Sequence, residues 1–129
     1  MVLQALYEAE FSDRSAGEIV DEQIDRRGPS EEGAERARDL FLKTMEKRAE
    51  IDHVLRGHLD NWELERVSLV DRNILRFALA EVLFFPDVPS AVIIDEAIEI
   101  ANRYSSEDAG RFVNGVLDRL VREYRKDAS

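Results

Sequence analysis

Apolar positions recur along this chain at helical spacings. Leu3, Leu6, Tyr7 and Phe11 fall at i, i+3, i+4 and i+8, the repeat of one helical face, and Ser12-Asp13-Arg14 reads as the turn that ends it. Ser15 with Glu18 three residues later forms a capping box for a second helix. Its apolar face is Ala16, Ile19, Val20 and Ile24, and it stops at Gly28-Pro29. Ser30 caps a long third helix with Ala37, Leu40, Phe41, Thr44, Met45, Ile51 and Leu55 inside, ended by Gly57. An irregular stretch from His58 to Val67 follows and holds the only tryptophan, Trp62. Ser68 pairs with Asp71 to open a helix to about Phe85 that is apolar nearly all round, the pattern of a helix at the centre of a bundle.

Pro86 and Pro89 bracket a tight connection, and Ser90 starts the next helix with Val92, Ile94, Ala97, Ile98 and Ala101 inside. Ser105 and Asp108 cap the last, in which Ala109, Phe112, Val113, Val116, Leu117, Leu120, Val121 and Tyr124 form one stripe. No segment sustains period-two alternation, and no internal repeat or low-complexity linker interrupts the pattern. The expectation is an all-α fold, a single bundle of six or seven helices over residues 1–129.

Composition narrows the function classes. With 129 residues, 44% hydrophobic and 36% charged, the chain has material for one core and lies outside the disordered regime. It has no cysteine, which excludes disulfides, thiolate metal sites and thiol catalysis and suits a cytoplasmic protein. No run approaches the roughly 18 apolar residues of a membrane span, so no membrane association is expected. His53 and His58 are five apart and do not share a helical face as a metal pair requires. No carboxylate pair stands in an apolar setting, and the phosphate-loop, nucleophile-elbow and dinucleotide patterns are missing from the sequence. The reading is a non-enzyme with no metal and no cofactor.

Two features exceed packing. Asn114-Gly115 interrupts the final helix, where glycine costs about 1 kcal/mol against alanine. Either a neighbouring helix comes close there, or a ligand approaches the row of Arg111, Asn114 and Asp118. Charge is also segregated. The net charge is -10, yet residues 1–65 carry 9 basic and 17 acidic side chains, while 109–126 carry 5 and 2. The basic terminal segment reads either as a small nucleic-acid footprint or as a solvated face.

Several strings together resemble the NusB family of bacterial transcription antitermination factors. They are Val70-Asp71-Arg72-Asn73-Ile74-Leu75-Arg76-Phe77-Ala78-Leu79-Ala80-Glu81, Asp87-Val88-Pro89, Ile94-Asp95-Glu96-Ala97-Ile98-Glu99-Ile100-Ala101 and Phe112-Val113-Asn114-Gly115-Val116-Leu117-Asp118, with Leu3-Gln4-Ala5-Leu6-Tyr7 and Trp62-x-x-x-Arg66 at their flanks. The resemblance implies a helical, non-enzymatic protein. Such a protein binds boxA-type single-stranded RNA of ribosomal RNA transcripts as a heterodimer with the ribosomal protein NusE, within the RNA polymerase antitermination complex. It implies RNA contacts at Gln4, Asp108, Phe112 and Asn114, to which the helical row adds Arg111. Phe112 would stack on an unpaired base, although it also belongs to the apolar stripe. On the NusE side the matching positions are Tyr7, Glu65 and Asp71. Arg66, Arg76 and Glu81 match as well and read as a structural ion-pair network.

The family usually places an arginine-rich arm before the Leu-Gln-Ala-Leu-Tyr helix, and the arm is expected to be missing here, since Met1 falls inside that helix. The acidic surface then suits a basic partner that supplies cations for RNA. Other readings are a helical interaction module that touches no RNA, as a homodimer or as a binder of a NusE-type partner, and the detached NusB-like domain of a ribosomal RNA methyltransferase.

Overall fold

The computed structural model describes residues 1–28, 30–59 and 63–127, so Pro29 and Trp62 lie outside the described residues. In order, the elements are α1 (Val2–Phe11), α2 (Ala16–Arg27), α3 (Glu31–Glu46), α4 (Arg48–Arg56), a 3-10 turn over Leu64–Arg66, α5 (Leu69–Phe84), α6 (Ser90–Tyr104) and α7 (Glu107–Tyr124). Among the described residues seven α-helices therefore stand where six or seven were expected. The added one comes from a break in the long third helix. Lys47 sits at φ -100, ψ 14, although Lys47 N–H still reaches Lys43 O and Ile51 N–H reaches Lys47 O. No glycine or proline marks the bend, but three residues earlier the Thr44 hydroxyl donates to Leu40 O at 2.7 Å, a back-bond that bends helices.

The expected central helix is central. Every residue of α5 from Asn73 to Val82 is buried, and it packs against α1, α3, α4, α6 and α7. Ser15, Ser30 and Ser68 cap as read, accepting from Glu18 N, Gly33 N and Asp71 N, and Gly28 ends α2 at φ +59, a conformation glycine adopts without strain. Three expectations shift. The cap of α7 is Ser106, accepting from Ala109 N, not Ser105. The buried face of α6 is Ser90, Ile93, Ala97 and Ala101, leaving Val92 exposed and Ile94 and Ile98 half-buried. On α1, Leu3, Ala5 and Leu6 are buried, whereas Tyr7 and Phe11 point outward.

The end of α5 is closed from far along the chain. The buried Arg125 guanidinium donates to the carbonyls of Glu81, Val82, Phe85 and Val88 at 2.6–3.0 Å. Two residues on, the Asp127 carboxylate accepts from Ser90 N–H and from the Ser90 hydroxyl, capping the start of α6. These residues pin both sides of the α5–α6 connection.

Candidate nucleic-acid and partner surfaces

Four of the five expected RNA-contacting residues share the first two turns of α7. Asp108, Arg111 and Asn114 are exposed, and Asp108 is paired with Arg111. Phe112 is half-buried and packs against the core, so the stripe and the surface both claim it. Gly115 is exposed with nothing near the position a Cβ would take, which removes the close-helix explanation and leaves its row open to solvent. The glycine under a close neighbour is Gly110, where a Cβ would lie 2.1 Å from Asn102 Oδ1. The fifth residue, Gln4, is on α1 and lines a groove of about 570 Å³ together with Arg36 of α3 and with Arg103 and Tyr104 of α6. Arg103 and Tyr104 directly precede the α7 cap, and the Arg103 guanidinium lies 5.7 Å from the Tyr104 ring. Sequence reasoning missed both, although an exposed Arg-Tyr pair beside the Ser-Ser cap is a legible signal for base stacking.

The basic segment offers fewer free cations than its count suggests. Arg125 is consumed by backbone carbonyls, Arg122 pairs with Asp118 at 3.1 Å, and Arg111 is held by Asp108. Of the two readings of that segment, the independent basic footprint loses most of its support.

The second surface gathers around the start of α5. Glu65 is exposed on the 3-10 turn and pairs with Arg56 at 2.6 Å; that bond, foremost, holds its carboxyl below the usual range. Asp71 lies six residues on. Its N–H serves the Ser68 cap, but Asp71 Oδ1 is buried with no hydrogen-bond partner among the described residues. The capping box is therefore one-sided, and the carboxylate still has an acceptor to fill. On α1, Tyr7 and Phe11 are 45% and 72% exposed, with ring centroids 5.4 Å apart, and the neighbouring Glu8 Oε2 is buried without a hydrogen bond among the described residues, the Arg14 guanidinium lying 3.9 Å away. Glu65 and Asp71 thus share one corner, and Tyr7 stands on the adjoining helix. Phe11 and Glu8 were missed. Phe11 carried a signal, since it follows Tyr7 by four residues, but the shared spacing placed both rings inside.

A buried network ties these helices together. Arg76 makes a two-pronged pair with Asp52 at 2.8 and 3.1 Å and also donates to Glu10 and Asn73, and Arg48 pairs with Glu10 at 2.6 Å. The ion-pair expectation holds for Arg76, is met for Arg66 only by an exposed pair outside this network, and finds no close pair for Glu81 among the described residues. Arg66 is exposed and pairs with Glu63 at 3.6 Å, and Glu81 is buried with no hydrogen bond to its carboxylate among the described residues. His53 is exposed, and His58 bridges Val54 O and the Glu123 carboxylate. Among the described residues no group of three acidic or histidine side chains is arranged to hold a metal, and no helix is long and apolar enough to cross a membrane.

A seven-helix bundle with a polar edge at the start of one helix, and an aromatic and acid-rich face on another, defines a small helical binding module. The chain belongs to the NusB family, whose model matches residues 1–122. It is 43% identical over 123 residues to the transcription antitermination protein NusB of Thermotoga maritima, covering 95% of this chain and 87% of that one. The solved T. maritima NusB superposes with a TM-score of 0.87 at 43% identity, over 95% of this chain and 87% of that chain. A crystal structure of the antitermination factors NusB and NusE in complex with dsRNA matches with a TM-score of 0.86 at 27% identity, over 95% of this chain and 92% of that one.

Proposed function

We propose that this chain is a transcription antitermination factor that binds boxA-type RNA jointly with a NusE-type ribosomal protein. The observation that carries the reading is likeness, over 95% of this chain and 92% of the other at 27% identity, to a structure of the antitermination factors NusB and NusE in complex with dsRNA. In this reading RNA runs along the start of α7 and the adjoining groove rim. Phe112 offers its accessible face to a base, Asn114 and the Gln4 amide NH2 bond base edges, and Arg111, held by Asp108 through one nitrogen, turns its remaining N–H donors to a phosphate. The NusE-type partner covers Tyr7, Glu65 and Asp71, with Phe11 enlarging the aromatic contact and Asp71 Oδ1, which has no hydrogen bond among the described residues, taking a donor from a basic protein. The work is recognition, and no covalent step is assigned to any residue.

Fluorescence anisotropy of a labelled boxA-type RNA tests this. Expected are weak binding by the chain alone, at least tenfold tighter binding when NusE is added, and a preference for the single strand over a duplex of the same sequence. Tight binding without NusE, or an affinity indifferent to it, overturns the joint reading. No RNA binding in either case leaves the interaction-module reading standing. Phe112→Leu keeps an apolar side chain against the core and removes the stacking ring, so it should cost about 1–3 kcal/mol of RNA affinity with little change in the thermal midpoint.

A further inference from the structure

The groove that Gln4 lines is walled by α1, α3, α5 and α6, and two of its acceptors have nothing to accept. The Glu81 side chain lies on its wall in a residue only 8% exposed, and among the described residues its carboxylate, whose oxygens keep some access to solvent, makes no hydrogen bond. Gln4 Oε1 is buried and equally unpartnered. A buried acceptor such as Gln4 Oε1 without a donor costs on the order of 1–3 kcal/mol, and a carboxylate with little solvent beside it also gains from one, so the site favours an occupant that brings donors. Charge says which kind. Besides Glu81, the lining carries Asp39, Asp87, Glu96 and Glu99 against the side-chain cations Arg36 and Arg103, a balance that repels phosphate and attracts a cation. Burial, reinforced by the charge of Glu96, pushes the Glu81 carboxyl up to about 7 despite Arg36 and Arg125, so neither arginine compensates it. Phe77, Phe85 and Tyr104 are also in the lining, and a planar guanidinium can stack flat on aromatic faces while its edge N–H groups donate, which a compact ammonium cannot do at once.

We infer that this groove is a docking site for an arginine side chain of a basic polypeptide partner, its guanidinium donating to the Glu81 carboxylate and to Gln4 Oε1. The site lies apart from the Tyr7, Glu65 and Asp71 surface and does not depend on that assignment. A capped Gly-Arg-Gly peptide titrated into the isotopically labelled full chain tests it by NMR, with the citrulline peptide as the uncharged isostere. The expected result is saturable shifts of the Gln4, Glu81 and Ile100 amides, with affinity at least tenfold weaker for citrulline and for Glu81→Gln, and at least threefold weaker for Gln4→Leu. Retained dispersion in the variant spectra separates lost binding from lost folding. Equal responses to the two peptides overturn the inference. So does a silent groove, which would mean that Arg36 closes on Glu81 instead, and so does movement of the Glu81 and Ile100 amides by boxA-type RNA but not by the peptide.

Discussion

Glu81 sits in the middle of the chain's most apolar stretch, and its carboxyl titrates near 7 because burial, then Glu96, disfavour the ionised form. A carboxyl whose folded pKa lies above its unfolded value of about 4.5 binds more protons folded than unfolded, so stability is full below pH 4.5 and falls as pH rises towards 7. The loss is roughly 3 kcal/mol at pH 8. Glu81→Gln should recover most of it at pH 8 and gain little at pH 4, as read by urea denaturation at both pH values. His58 acts in a higher window. The Glu123 hydrogen bond, opposed by desolvation and helped by Val54 O, raises its pKa, so its contribution is complete below about pH 6.5 and fades as pH climbs through the raised value. Glu123→Gln should lower stability below about pH 6.5 and flatten its fall above that pH, leaving the alkaline limit little changed, as read by urea denaturation. At this scale the sequence marked the right residues and misjudged their surroundings. Arg76 and Glu81 both match the family string, but only the tertiary arrangement brings Asp52 and Glu10 to one and leaves the other without a donor.

Helix ends and faces were mostly legible, because capping is local chemistry: a serine followed at three residues by the N–H it accepts. The errors occur where the pattern is degenerate. Two adjacent serines offered two caps for α7, and Val92, Ile93, Ile94, Ile98 and Ile100 spread β-branched residues over several faces of α6, of which packing selected that of Ile93, Ala97 and Ala101. The Arg125 closure of α5 was invisible, being 40 residues from Phe85 in sequence. Arg125→Ala strands four carbonyls and should cost about 3 kcal/mol or more in urea denaturation, and Arg125→Lys should restore only part, since one ammonium cannot span the set. Gly115, by contrast, is open on all sides, so Gly115→Ala should raise stability by about 0.5–1 kcal/mol through helix propensity alone. Gly110→Ala gains less, because Asn102 must first move aside.

For the whole molecule, the all-helical class and the central place of α5 followed from periodicity, and the family from a few strings in order. Which surface does what did not follow, because exposure of Tyr7 and Phe11, and the pairing that consumes Arg111, Arg122 and Arg125, arise only when distant elements meet. A net charge of -10 with most arginines engaged implies that the chain alone releases few counterions from RNA. The log-log salt slope of RNA binding should therefore be shallow for the chain and steeper for the pair with NusE, by about 0.7 for each phosphate the partner neutralises on a single strand. The closure by Arg125 also has a temporal side. A ribosome adding 5–20 residues per second needs about 2–8 s to make the 40 residues between Phe85 and Arg125, and throughout that interval the central helix has an open end. The nascent bundle can gather α1 to α4 around α5 in sequence order, but its middle is sealed only after synthesis has moved 40 residues past it.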